Sequence, residues 1–288
     1  MAWLGARRGS LVDWLTQRWV QLFGRRVAKT HVPWLLGPIG DTTGIGDGFF
    51  ARWADGQGLH RIQEQGQGLL PQGLAALDGP LFSAASIHPG VDEFYRHTAN
   101  FEVKIQSRWR GGFRAFGWLI SAVFARRLAQ LNLTLVDDSY RAGVESRVEH
   151  YVDAQGALGL VAWVRTSRVS GRPIFVGKYG VATIPGHDGP CIQVVFPLPN
   201  GNAVILLRPQ LAADGGLCLV SDGRRFGDPG FYFTVARDAQ TMWVKYVRTM
   251  KERLTISGAA PGLCALHEFS VFGLTFLELR YLITIRKG

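Results

Sequence analysis

The chain has 288 residues, 47% of them hydrophobic and 19% charged, a balance that excludes a disordered polypeptide and allows a sizeable core. Its net charge of +10 invites an anionic partner, yet the cationic residues are scattered apart from the pairs Arg7-Arg8, Arg25-Arg26, Arg126-Arg127 and Arg224-Arg225. Arginine supplies 26 of the 32 basic residues, a bias that GC-rich coding produces without any selected partner, so nucleic acid is not an expected ligand.

Residues 10–26 have the spacing of an amphipathic helix that Ser10 can cap. Leu11, Val12, Leu15, Trp19, Leu22 and Phe23 line one side, with Arg18, Arg25 and Arg26 on the other. Trp3, Trp14 and Trp19 beside these arginines also suit a helix lying on an anionic membrane surface. A Gly-rich stretch, Gly37 to Gly48, leads into a short helix with Phe49, Phe50 and Trp53. It lacks the Gly-Lys-Ser/Thr of a phosphate loop, and Ile45 and Arg52 fall where a calcium loop needs oxygen ligands. Residues 55–87 look like irregular connection, and the chain divides into an N-terminal segment, 1–85, and an α+β domain, 86–288.

His88-Pro89 opens another short helix, with proline suited to its first turn. Strict alternation from Asn100 to Arg110 then predicts a half-buried strand, and an apolar stripe from Phe113 to Leu131 predicts a helix. Its longest apolar stretch, Phe116 to Ala125, is about half of what a membrane span needs. From Glu145 onward strands follow one another, near 145–153, 157–168, 173–184, 191–197, 203–208, 216–221, 230–236, 241–247, 252–257, 264–272 and 274–286. Residues 240–252 also fit a helix, since Met242, Tyr246 and Met250 are helically spaced. The expected fold is therefore α+β: a helical front third, then a long antiparallel β meander, strongly curved or closed as a barrel. The alternative is a helix-grip sheet, with strand 100–110 and the following helix joining a curved sheet around a cavity.

A curved sheet encloses an interior, so polar side chains that alternate with apolar ones are candidate ligand contacts. His150 alternates with Val148 and Val152, Tyr179 with Phe175 and Val181, and His267 with Phe269 and Val271. Glu278 and Arg280 share a strand face with Phe276 and Leu282. The turn Gly223 to Gly230 sets Arg224 and Arg225 at a rim suited to an anionic head group, or to pairing with Asp228. Glu93 and His97 lie one helical turn apart near His88, but no second ligand cluster accompanies them, so no metal site is expected. His187, Asp188 and Cys191 are close in sequence, but Cys191 opens a strand, a poor setting for a thiol nucleophile. Cys191, Cys218 and Cys264 form no CxxC pair and read as buried reduced thiols. With no apolar leader after Arg7-Arg8, a cytoplasmic protein is expected, peripheral to the inner membrane face if the first helix binds lipid.

The segments His88–Thr98, Phe116–Leu133, Pro185–Cys191 and Gly223–Phe233 resemble those of a bacterial family of hypothetical proteins from high-GC genomes with no assigned function. The resemblance covers about residues 80–286 and implies a bacterial cytoplasmic setting, with no catalytic residue and no cofactor carried over. The residues themselves suggest a pocket for a lipophilic small molecule. An enzyme using His150 or His267 for acid–base chemistry on a hydrophobic substrate is the second expectation. A structural or partner-binding protein without ligand is the third.

Overall fold

The computed structural model describes residues 11–40, 46, 48–62, 66–110, 144–168, 171 and 173–286. The helix expected over 113–132 lies outside them. Three α-helices, α1 (Leu11–Phe23), α2 (Phe49–Asp55) and α3 (Pro89–Arg96), stand in the front third with two short strands, β1 (Arg25–Ala28) and β2 (His60–Ile62). The described residues that follow form an antiparallel sheet: β3 (Phe101–Trp109), β4 (Val144–Val152), β5 (Leu158–Ser167), β6 (Pro173–Thr183), β7 (Pro190–Leu198), β8 (Gly201–Leu211), β9 (Leu217–Val220), β10 (Phe231–Ala236), β11 (Thr241–Tyr246), β12 (Met250–Ala259), β13 (Gly262–Val271) and β14 (Leu274–Ile285).

The expected strands form because their alternation matches the pleat, with apolar residues of one parity meeting across each ladder. The helical option for 240–252 fails: Met242 and Val244 are buried at strand spacing, and β11 pairs with β10. Two features depart from a meander. β8 forks, its first half (Gly201–Ile205) pairing with β10 and its last part (Arg208–Leu211) with β9. The excursion β10–β11–β1 therefore leaves the main path β2-β4-β5-β6-β7-β8-β9-β12-β13-β14-β3.

The sheet curls without closing, which corrects the barrel expectation. Its two ends approach, and the Arg286 guanidinium donates to the Ser146 carbonyl at 3.2 Å. No ladder joins β3 to β4 among the described residues; β2 instead takes the edge of β4 at His150–Val152. The concave side residues of β3 to β9 and β12 to β14, among them Val103, Val161, Ile192, Leu219, Ile256 and Leu279, share one core cluster. On the convex side α2 packs Phe49, Phe50 and Ala54 on Leu160, Val164 and Val176, while Trp34 and Leu35 cover Val195 and Val204.

One end of the curl is plugged. Leu69, Leu70, Leu74, Leu77, Val91, Phe94 and Tyr95 enter the core from the α3 region. His88 caps α3, its Nδ1 accepting from the Gly90 amide at 3.1 Å, and its own amide donates to Gly215 in the β8–β9 turn. Asp92 fastens the plug by accepting from the Leu74 amide (2.6 Å) and from Arg96 Nε (2.5 Å). At the opposite end lie the β13–β14 turn, the start of β12 and the end of β3.

Candidate functional site on the concave face

Register places Glu252, Leu254 and Ile256 of β12 beside Phe269, His267 and Ala265 of β13, which in turn face Leu277, Leu279 and Tyr281 of β14. This face is apolar except where three polar groups meet in a chain. His267 bonds through Nε2 to Glu252 Oε1, and its Nδ1 lies 3.3 Å from the Tyr281 hydroxyl. Phe269 stacks on the imidazole with ring centroids 4.2 Å apart, which fixes its plane. Glu252 is only 7% exposed, and its Oε2 has no hydrogen-bond partner among the described residues. A buried carboxylate oxygen left so is costly and rare in native interiors.

A second polar group projects into the same interior from β5. The Arg165 guanidinium lies 3.7 Å from the centroid of Trp163, whose Nε1 donates to Ser146 Oγ at 2.8 Å. Tyr179 packs beside Trp163, with ring centroids 6.1 Å apart. Burial, reinforced by Tyr95 and the Glu252 charge and opposed by Arg165, pushes its phenol well above the ordinary range. Its hydroxyl lies 3.5 Å from that of Tyr95, itself pushed up by burial to about 12, so both phenols are neutral donors at physiological pH.

Of the residues singled out from sequence, His150, Tyr179 and His267 share the concave face. His150 is held by the plug, its Nε2 2.7 Å from the Gly68 carbonyl. Glu278 and Arg280 lie on the opposite face of β14: Glu278 is buried and paired with Arg110, while Arg280 is exposed. Arg224 and Arg225 stay in their exposed turn, where their backbone amides donate to Asp228 Oδ2 at 2.8 and 3.1 Å. Asp228 also meets His187 Nε2 at 3.4 Å, so that histidine pairs with a carboxylate and not with Cys191. The Cys191 thiol sits in the convex cluster, pushed up to about 11 by burial.

Glu252, Tyr281 and Arg165 were missed. Glu252 stands at the first position of its expected strand, where alternation has no preceding partner; Arg165, alternating with Val161 and Trp163, carried the same signal as Tyr179. Among the described residues no three His, Cys, Asp or Glu are grouped to hold a metal ion. His97 Nδ1 instead lies 3.0 Å from the Gly66 carbonyl.

Cys264 corrects one expectation. It faces outward opposite Leu282 on the convex side and is exposed, whereas Cys191 and Cys218 are buried. A maleimide added to the native protein should therefore label one thiol rapidly, at Cys264, with the other two reacting only after denaturation. Rapid labelling of three thiols, read by intact mass, would contradict this burial.

Fold and site together define an antiparallel sheet curled around an apolar interior that holds a carboxylate–imidazole–phenol chain with its carboxylate buried. No protein-family model and no solved structure matches this chain. Over 211 residues it is 28% identical to a Bacillus subtilis (strain 168) protein named "Uncharacterized membrane protein YndJ", covering 70% of this chain and 36% of that protein. The chain thus spans roughly a third of that relative's length. This likeness agrees with kinship to a bacterial family without assigned function and lends no support to the high-GC attribution. No helix among the described residues is long and apolar enough to cross a membrane.

Proposed function

We propose that the curled sheet binds a lipophilic small molecule, its apolar body against the concave wall and its polar end at Glu252, His267 and Tyr281. The observation that carries this reading is the buried Glu252 Oε2 without a partner on an otherwise apolar face. A ligand hydroxyl or amine donating to that oxygen satisfies it. The alternation of β12 to β14 explains why the rest of the wall is hydrocarbon.

The relative's name supports a role at a membrane, where such ligands reside. So does α1, which buries Val20 and sets Trp19 on Phe233 at 5.7 Å while leaving Leu22 and Phe23 76% and 63% exposed beside Arg25 and Arg26. A cytoplasmic protein peripheral to the membrane is the setting that fits.

A second reading, an enzyme acting on a hydrophobic substrate by acid–base chemistry, is favoured by the Glu252–His267 pair, in which a carboxylate orients an imidazole. In this reading His267 is the proton carrier, since His150 is engaged by the Gly68 carbonyl.

Native mass spectrometry of gently purified protein, followed by solvent extraction of whatever it releases, tests the binding reading. A stoichiometric hydrophobic adduct with a donor head group is expected. A bare mass, with no binding of fatty amines, alcohols or acids added at micromolar concentration, would overturn it.

A further inference from the structure

The turn joining β13 to β14 has two residues, Phe272 and Gly273, with φ of 50° and 82°. Two successive left-handed residues make a type I′ hairpin, whose first position favours Asn, Asp or Gly. A bulky aromatic there is strained, because its Cβ crowds the backbone at positive φ. Phe272 gains no burial in return: it is 79% exposed, and Leu274, next to the turn, is 61% exposed. Neither folding nor packing accounts for an aromatic residue at this tip.

The surroundings of the tip are cationic. The Phe272 amide donates to the Thr249 carbonyl at 2.9 Å, which brings exposed Arg248 alongside. Lys251 pairs across from Ser270, and its ammonium donates to the Gly223 carbonyl, drawing in the turn that carries exposed Arg224 and Arg225. The neighbouring acids are already engaged: Asp222 with Arg208 at 3.0 Å, and Asp228 with His187, with the Arg224 and Arg225 amides, and with Arg225 Nε at 3.7 Å in an ion pair that leaves the Arg225 side chain 87% exposed.

We infer that the Phe272–Leu274 hairpin tip inserts into an anionic lipid surface, with Arg224, Arg225, Arg248 and Lys251 meeting the head groups. An exposed apolar pair ringed by cations matches a bilayer interface, where hydrocarbon lies just beneath negative charge. The tip also stands at the end of the curl away from the α3 plug, so insertion turns that end toward the membrane. This surface is separate from α1 and does not depend on what the interior binds.

Vesicle flotation of the full chain tests it, using phosphatidylcholine vesicles with and without phosphatidylglycerol. Phe272→Asn restores the preferred Asn-Gly turn, and Leu274→Thr keeps a strand-forming residue, so both variants should fold. Wild-type protein is expected to float with the phosphatidylglycerol vesicles. Raising salt from about 0.1 M to about 1 M, which shortens the screening length from about 10 Å to about 3 Å, should release it. The double variant should partition about tenfold less or weaker, with its thermal transition unchanged or raised. Flotation unchanged in the double variant but lost in Leu22→Ser/Phe23→Ser would overturn the proposal in favour of α1. Absence of flotation, with concentration-dependent self-association that Phe272→Asn removes, would overturn it in favour of a second copy of the chain.

Discussion

Replacing His267 with leucine should destabilise the protein by about 1–3 kcal/mol, the usual consequence of leaving a buried acceptor without its hydrogen bond. The loss comes from Glu252, whose Oε1 then joins Oε2 in having no partner in a face built of Leu254, Phe269 and Leu279. Replacing both residues, Glu252→Leu with His267→Leu, removes the polar groups together and should recover most of the loss, since an apolar pair of similar volume fills such a site well. Chemical denaturation of the two single variants and the double variant reads this directly. Additive losses would mean that the pair does not act as a unit. Recovery in the double variant would mark Glu252 and His267 as kept for a purpose other than stability, which is what a ligand site requires.

Gly68→Ala should be among the most damaging small changes outside the site, costing about 3 kcal/mol. A Cβ at Gly68 would stand 2.0 Å from the Arg96 carbonyl oxygen and 2.3 Å from that of Tyr95, so backbone would have to move. The same residue presents the carbonyl that meets His150 Nε2 and lies between Gln67 and Leu69, both held to the α3 region by hydrogen bonds. Displacing it loosens Tyr95 and with it the contact to Tyr179. Thermal unfolding should show the loss, and near-ultraviolet circular dichroism should show weakened tyrosine signals. A transition within about 1 °C of wild type would mean that the plug accommodates the methyl group, contrary to a tightly seated segment.

These expectations rest on parts of the molecule that were unequally legible in the sequence. Strands such as β3 could be read because one buried face imposes a period of two, as in Phe101, Val103 and Ile105, while β7 and β9, buried on both faces, stood out as short apolar runs between turns. β1 and β2 could not: they have four and three residues, are partly exposed, and take their pairing from distant β11 and β4. The fork at β8 depends on which neighbours reach each half of one strand, and nothing local in Gly201–Leu211 encodes it. Closure was misjudged for a similar reason, since the edge of β4 that a barrel would need is partly taken by β2.

The candidate site was half legible. His267 and Tyr179 stood out as polar groups alternating with apolar ones, and both lie on the concave face. Glu278 and Arg280 alternate equally well but face the other way, because a period of two distinguishes two faces without saying which is concave. Only the ladder of β14 with β13 settles that. The plug that separates His150 from the His267 chain comes from residues 66–96, which read from sequence as irregular connection or as an isolated helix.

The measurement that tests the central claim most directly compares native mass spectra of wild-type protein and the Glu252→Leu/His267→Leu double variant after identical gentle purification. If the interior holds a lipophilic ligand by its polar end, wild type carries a stoichiometric adduct that the double variant loses while retaining its thermal transition. Equal adduct occupancy in the two proteins would contradict a site built on Glu252 and His267.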